Sequence, residues 1–185
     1  MKITELEIPG LLLIELERFG DDRGWFCETW QAERYRDAGI REKFVQDNLA
    51  LSSKGVLRGL HAQHPNDQGK LVQVLSGHVF DVAVDLRVGS PTFAHWKGVE
   101  LTGELAQQFY VPPGFGHGYC VLSESALFSY KCTDVYHPEA EFGVRWDDPY
   151  VGIDWPLDAP PILSAKDRGL PLLAELPDHM LMRYE

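Results

Sequence analysis

Gly55-Val56-Leu57-Arg58-Gly59-Leu60-His61-Ala62-Gln63-His64-Pro65-Asn66-Asp67-Gln68-Gly69-Lys70-Leu71-Val72-Gln73-Val74-Leu75-Ser76-Gly77 is the stretch on which the fold reading turns. It puts Arg58, His61 and Lys70 into one segment punctuated by four glycines. Such groups repel one another when charged and close together. A fold accepts that cost when an anion or an electron-rich intermediate will settle among them. The plainer alternative makes Arg58 and Lys70 surface charges and His61 a core histidine. Composition does not choose between the two; spacing does.

His61 follows Gly55 by six residues, and Gly77 follows Lys70 by seven. Downstream comes Pro112-Pro113-Gly114-Phe115-Gly116-His117. The pair resembles the two motifs of the cupins, small β-barrels that usually hold a metal. Their first motif is Gly, five residues, His-x-His, a short gap, Glu, six residues, Gly. Here His61 stands at the first histidine, Gln63 at the second, and Lys70 at the glutamate after a longer gap. His117 keeps the histidine of the second motif. Divalent metals bind neutral imidazole, carboxylate or thiolate. An ammonium repels them, and an amide is a poor substitute for imidazole. The resemblance therefore implies an all-β, cupin-type jelly-roll barrel with short peripheral helices, whose metal site has become an organic acid–base site.

The flanking sequence fits many short strands. Residues 3–18 hold two strand-like runs split at Pro9-Gly10, and Asp21-Asp22-Arg23-Gly24 is turn chemistry before an aromatic strand from Trp25 to Trp30. Gln31–Ala38 is a short helix closed by Gly39. In the strand Phe44–Ser52, Gln46 and Asn48 are two apart and share one face, either outward or into the barrel. Leu71–Leu75 and His78–Leu86 are the strongest strands, joined tightly at Ser76-Gly77. Phe93–Leu101 and Gln107–Val111 follow. Tyr119–Leu122 and Ala126–Thr133 make a hairpin-like pair around Ser123-Glu124-Ser125. This pattern of short strands and Gly/Pro/Ser turns suits a sandwich or barrel. The reading is one domain over 1–185, with 171–185 a tail that carries no legible motif.

The chain has 185 residues, enough for one domain with a real core, and 44% of them are hydrophobic. The formal charge of −11 disfavours nucleic acid as a partner but leaves room for a local cationic pocket. Cys27, Cys120 and Cys132 form no CxxC pair and read as free thiols in a reducing compartment. No signal pattern opens the chain and no apolar run reaches membrane-span length, so the expectation is a cytoplasmic protein with no membrane partner.

Taken together, Asp22-Arg23-Gly24-Trp25-Phe26-Cys27-Glu28, Gln46-Asp47-Asn48, Arg58-Gly59-Leu60-His61-Ala62-Gln63, Gln68-Gly69-Lys70, Pro113-Gly114-Phe115-Gly116-His117-Gly118, Tyr130-Lys131 and Ser164-Ala165-Lys166-Asp167 resemble the dTDP-4-dehydrorhamnose 3,5-epimerase family over about residues 1–170. The resemblance implies epimerisation of dTDP-4-dehydro-6-deoxy-D-glucose at C3 and C5, with no metal or redox cofactor. It also implies a homodimer that exchanges N-terminal strands. His61 falls on the family's base, Asp167 on its carboxylate partner, Tyr130 on the opposing acid and Lys70 on the enolate clamp. A phenol suits the acid role if nearby cations lower its pKa. Arg58 and Arg23 fall on diphosphate and nucleotide contacts, where a guanidinium fork suits phosphate. Arg23 is expected to serve the neighbouring subunit. Glu28, Gln46, Asn48, His117, Glu141 and Lys166 fall on other substrate-binding positions, and Tyr136 on the residue that stacks on thymine. His64, His78, His95, His137 and His179 match no motif position and read as surface or packing residues.

Three positions depart from the family pattern. Ala62 replaces a frequent aromatic, Gly116 a frequent alanine and Tyr119 a frequent phenylalanine. Ala62 bears on pocket shape and so on sugar specificity. The nearest rival is a mono-epimerase acting at C3 or C5 only. A non-catalytic nucleotide-sugar-binding cupin predicts loss of the base or acid, yet both are present. Gln63 and Lys70 argue against a metal-dependent cupin oxygenase.

Overall fold

In the computed structural model, which describes residues 1–184, most regular segments are strands. In chain order they are β1 (Lys2–Glu5), β2 (Leu12–Glu15), β3 (Arg18–Asp21), β4 (Gly24–Cys27), β5 (Gln46–Ser53), β6 (Leu57–Gln63), β7 (Lys70–Ser76), β8 (His78–Asp85), β9 (Trp96–Thr102), β10 (Gln107–Val111), β11 (Phe115–Val121), β12 (Ser125–Cys132) and β13 (Glu141–Gly143). The α-helices described are α1 (Ala32–Asp37) and α2 (Ala165–Arg168). One sheet has the order β1-β2-β10-β7-β12-β5 and the other β13-β6-β11-β8-β9, while β3 and β4 pair only with each other. The two sheets face each other across an apolar filling, the jelly-roll arrangement the cupin resemblance implies.

Strands adjacent in sequence often lie in opposite sheets, which corrects the hairpin expected around Ser123–Ser125. β11 belongs to the five-stranded sheet and β12 to the six-stranded one, so the turn carries the chain across the barrel. β7 and β8 are related in the same way at Gly77. The two crossings press together. A Cβ on Gly77, at φ +89, would lie 2.1 Å from the Ser125 carbonyl oxygen. The His78 N–H donates to Ser123 Oγ at 2.8 Å. A hairpin and a crossover use the same turn residues, so the local sequence does not distinguish them. Two boundaries also move. β9 begins at Trp96 because Ala94 turns the chain at φ +63, and β4 stops at Cys27, short of Trp30.

Alternation along each strand sorts side chains between two environments. On β8, Val79 and Ala83 point between the sheets, packed with Val72, Phe109 and Phe128. Val82 and Val84 point to the outer face, packed with Leu57, Leu60, Trp155, Leu173 and Leu181. The segment from 171 onward thus acquires a role its sequence does not advertise. Leu173 and Leu181 are buried, and the Leu173 N–H donates to Asp148 Oδ2 at 2.6 Å. Together they cover the outer face of the five-stranded sheet. A third cluster forms where Tyr35 and Ile40 cover Ile14, Leu71 and Tyr110.

β6 breaks alternation, and the break builds the site. Leu57 and Leu60 both face the outer cluster although they are an odd number apart. Against β11, His61 is opposite His117 and Arg58 opposite Tyr119, so one strand advances three residues while the other advances two. This is a β-bulge. It turns Arg58 and His61 to the same interior, where a regular strand would put them on opposite faces. Gly59 makes it possible: at φ +121 its Cα hydrogens pack where a Cβ would sit 2.6 Å from Gly118 Cα and 2.7 Å from the His117 carbonyl oxygen. Gly59→Ala is expected to destabilise the fold by about 3 kcal/mol, through left-handed strain plus a backbone clash. Urea unfolding would measure it, and a loss below about 1 kcal/mol would show that the bulge relaxes freely.

Candidate active site

The inward residues of β5, β6, β7, β11 and β12 line a cavity of about 370 Å³ between the sheets. Arg58, His61 and His117 come from the five-stranded sheet; Gln46, Asn48, Lys70 and Tyr130 come from the six-stranded one. A planar ligand between the sheets would therefore meet His61 on one side and Tyr130 on the other.

His61 is held from behind. Its Nε2 lies 2.6 Å from Asp167 Oδ1. Asp167 is itself fixed at the start of α2, where Ser164 Oγ accepts from the Asp167 N–H at 3.0 Å and donates to Oδ2 at 2.7 Å. Burial pushes the Asp167 carboxyl up, but hydrogen bonds from His61 and Ser164 outweigh it and leave the pKa lowered. The carboxylate thus stays ionised and favours the His61 tautomer with its N–H on Nε2, which leaves the Nδ1 lone pair free to accept a proton.

Lys70 is buried. Among the described residues its Nζ makes one long hydrogen-bond contact, 3.5 Å to the His61 carbonyl oxygen. Burial lowers its pKa, while Cys132, Asp81 and Glu141 pull the other way. An under-solvated ammonium of this kind gains most from an anion delivered by the ligand.

For Tyr130 the condition attached to the acid role, a pKa lowered by nearby cations, is not met: burial pushes it up to about 12, with Cys132 and Tyr119 adding to the rise and Arg58 opposing it. The resting phenol is neutral and carries its proton, as an acid must.

Further polar residues frame the cavity. Gln46 Nε2 donates to Asn48 Oδ1 at 3.1 Å, so the inward option for this pair holds. Arg58 Nε donates to Ser52 Oγ at 3.1 Å. Tyr136 is half exposed, and its hydroxyl donates to Glu141 Oε2 at 2.6 Å. Lys166 Nζ lies 2.5 Å from the same Glu141 oxygen, with its side chain half exposed and outside the cavity lining. Gln63, at the cupin ligand position, is turned to structural use: its Nε2 donates to the Asn66 and Val135 carbonyl oxygens, and its Oε1 accepts from the His137 N–H.

Arg23 and Glu28 are not brought to this cavity. Arg23 pairs with Asp21 at the tip of the β3–β4 hairpin with its side chain 90% exposed, and Glu28 pairs with Arg34 at 2.6 Å. The hairpin pairs with neither sheet; at its base Arg18 donates to the Gly103 carbonyl oxygen at 2.7 Å, while Arg23 at its tip stays exposed.

Asp81 is the group the sequence reading missed. It is fully buried, and both its oxygens face His117 Nε2, at 2.8 and 3.0 Å. Burial raises its pKa against the pull of His117 and Lys70. A signal existed: Asp81 shares parity with Val79 and Ala83 on β8, and a carboxylate in an inward apolar row needs a partner.

The comparisons with known proteins follow this geometry. A family model described as dTDP-4-dehydrorhamnose 3,5-epimerase matches residues 5–175. A dTDP-4-dehydrorhamnose 3,5-epimerase from Pseudomonas aeruginosa is 53% identical over 169 residues, covering 91% of this chain and 93% of that protein. The crystal structure of a dTDP-6-deoxy-D-glucose-3,5-epimerase from Legionella pneumophila, in complex with dTDP-4-keto-L-rhamnose, superposes with a TM-score of 0.97 at 53% identity, covering 100% of this chain and 98% of that one. A dTDP-4-dehydrorhamnose 3-epimerase from Streptomyces niveus is 40% identical over 184 residues, covering 98% of this chain and 88% of that protein.

Proposed function

The chain belongs to the dTDP-4-dehydrorhamnose 3,5-epimerase family, and from that premise we propose that it inverts C3 and C5 of dTDP-4-dehydro-6-deoxy-D-glucose. The observation that carries the mechanism is the His61–Asp167 contact of 2.6 Å facing Tyr130 across one cavity. The C4 ketone acidifies the hydrogens on C3 and C5. His61 removes one as a proton, and the electron pair moves into an enolate whose oxygen Lys70 holds. Tyr130 returns a proton to the carbon from the opposite face, inverting it. The imidazolium then sheds its proton and the phenolate regains one through solvent, so the site resets with no net change in protons. Asp167 stabilises the imidazolium while it exists. Gln46, Asn48, His117 and Glu141 bind and orient the ligand, Arg58 holds its diphosphate, and half-exposed Tyr136 offers a face for thymine.

Incubation with the ketosugar in heavy water tests this reading by mass and NMR. Deuterium with inversion at both C3 and C5 is the expected result. Exchange at one carbon alone would replace it with a mono-epimerase, the activity named for the Streptomyces niveus relative. No exchange would sink the enzymatic reading for this sugar.

The working unit is a homodimer in this proposal. The β3–β4 hairpin exposes Phe19, Trp25 and Phe26 by 57–67%, and β5 exposes Leu49 and Leu51 by 66% and 71%. Such apolar surface suits a second copy, onto which the hairpin would carry Arg23 and Glu28. Sedimentation at micromolar concentration is expected to give twice the chain mass; a monomer that retains full activity would overturn the exchange. The three free thiols suit a reducing cytoplasm.

A further inference from the structure

Two histidine–carboxylate pairs stand side by side on the five-stranded sheet. His61 and His117 are register partners across the β6–β11 ladder. Each turns Nε2 to a carboxylate, His61 to Asp167 at 2.6 Å and His117 to Asp81 at 2.8 and 3.0 Å. His117 is 6% exposed and lines the cavity. Its Nδ1 has no hydrogen-bond partner among the described residues and is not sealed off, so it opens on that cavity. What Nδ1 offers a ligand, a lone pair or an N–H, depends on the proton count of the pair behind it.

The two carboxylates differ in their support. Asp167 accepts from Ser164 as well as from His61, and these bonds outweigh burial, so the carboxyl stays ionised. Asp81 is fully buried, and among the described residues His117 is its hydrogen-bond partner through both oxygens. Burial is the largest influence on Asp81 and favours its protonated form, against the pull of His117 and Lys70. Its surroundings supply no other donor. Val99 is opposite it on β9 and Tyr119 on β11, and burial holds Tyr119 and nearby Cys120 in their protonated forms. From β12 the Phe128 ring lies over His117 at 6.2 Å. Lys70 and Arg58 are the cations, and Glu141 the further carboxylate, that line the same cavity. A carboxylate this poorly supported is costly when bare, so the Asp81–His117 pair keeps one proton more than the Asp167–His61 pair.

Where that proton rests does not alter what the cavity meets. On Asp81 it is donated to Nε2, and the neutral ring then carries its hydrogen on Nδ1. On Nε2 it makes an imidazolium with hydrogen on both nitrogens. Either way His117 presents an Nδ1–H. Lys70 reaches the same region from the other sheet: its Nζ lies 3.5 Å from the carbonyl oxygen of His61, the register partner of His117, and Asp81 feels its charge.

We propose that Asp81 is a positioning residue that makes His117 a hydrogen-bond donor, the reverse of His61, with its Nδ1–H aimed beside Lys70 at the sugar oxygen that becomes the enolate. This rests on the epimerase reading above. His61 offers a lone pair to a C–H, and His117 offers a hydrogen to an oxygen. Environments that push two similar pairs apart in this way separate base from acid.

Nitrogen-15 NMR of histidine-labelled, ligand-free protein near neutral pH reads the ring nitrogens directly. His61→Asn and His117→Gln assign the two rings by loss of their signals. His117 is expected to carry hydrogen on Nδ1, and His61 a free lone pair there. A free lone pair on His117 Nδ1 would overturn the proposal. Asp81→Leu then removes the carboxyl at similar volume. It is expected to lower kcat by about 10²-fold, the scale of one preorganised donor to an oxyanion, while the dTDP Kd stays within about twofold, because the donor meets the sugar and not the nucleotide. A kcat close to wild type would overturn the assignment. So would a parallel loss of dTDP affinity, which marks general damage to the cavity. If the variant does not fold, the wild-type spectrum decides alone. Wild-type protein that gives the expected spectrum but exchanges no deuterium into the ketosugar would remove the epimerase reading, and this role with it; the spectrum tells the two failures apart.

Discussion

His61→Asn is expected to lower kcat by about 10³-fold or more and to abolish deuterium uptake at both carbons. General bases contribute roughly 10²–10⁴-fold, and the size of the effect here follows from how the imidazole is held. Asp167 occupies Nε2 at 2.6 Å, and Ser164 fixes Asp167 twice over. An asparagine side chain fills part of the same space and can still meet the carboxylate, so the fold should survive, but it offers no basic lone pair. Asp167→Asn should cost less, about 10²-fold, because the base remains and only its orientation and charge stabilisation are lost. Rapid-quench turnover combined with NMR exchange would read both. If His61→Asn keeps exchange within tenfold of wild type, His61 is not the base.

Lys70→Met should lower kcat by about 10²–10³-fold, the range for removal of a single preorganised donor to an oxyanion. The same substitution should leave the ligand-free protein as stable as wild type or more so. Lys70 is buried, makes one long hydrogen bond among the described residues, and has its pKa lowered by burial. Methionine matches its length without a charge to desolvate. The sign of the pH dependence follows. A lysine whose folded pKa is lowered binds protons less well in the folded state, so the unfolded chain takes up more of them between that value and the unperturbed 10.5. Stability from this group therefore rises with pH through that window. Wild type should show that increment and Lys70→Met should lack it. A variant that loses both activity and several kcal/mol of stability would mean that Lys70 is a structural cation.

The two substitutions probe opposite walls of the cavity, and their contrast bears on why the site works. His61 answers to a permanent partner, whereas Lys70 has, among the described residues, only its long contact to the His61 carbonyl oxygen, and in the proposed mechanism the enolate supplies the missing one. A group satisfied only in the reacting complex stabilises that complex more than the ground state. Tyr130, held neutral with a pKa of about 12, would complete the proposed set as an acid that keeps its proton until a carbanion demands it.

Much of this was legible in the sequence. Gly55, His61, Gln63, Lys70, Gly77 and His117 point to the barrel class through the resemblance of their arrangement to the two cupin motifs. The lysine at a metal-ligand position points to acid–base chemistry by charge alone. The pairing of Gln46 with Asn48 follows from a period of two. Each of these is a local property, written in residue type and separation.

Other features depend on which strands meet, and only the tertiary structure decides that. The sequence does not say that the turn at Ser123–Ser125 crosses between sheets, because a crossover and a hairpin ask the same of a turn. It does not reveal the bulge at Gly59 that swings Arg58 and His61 to one side, because bulges arise from register against a partner strand. Asp81 finds His117, and Asp167 finds His61 across 106 residues, through contacts that no local pattern encodes. Residues 171–184 carry no motif because their task is to cover an outer sheet face, which asks only for apolar side chains of suitable size. The Tyr130 pKa also depends on the tertiary structure: nearby cations were legible, but the burial that outweighs them exists only once the barrel has closed.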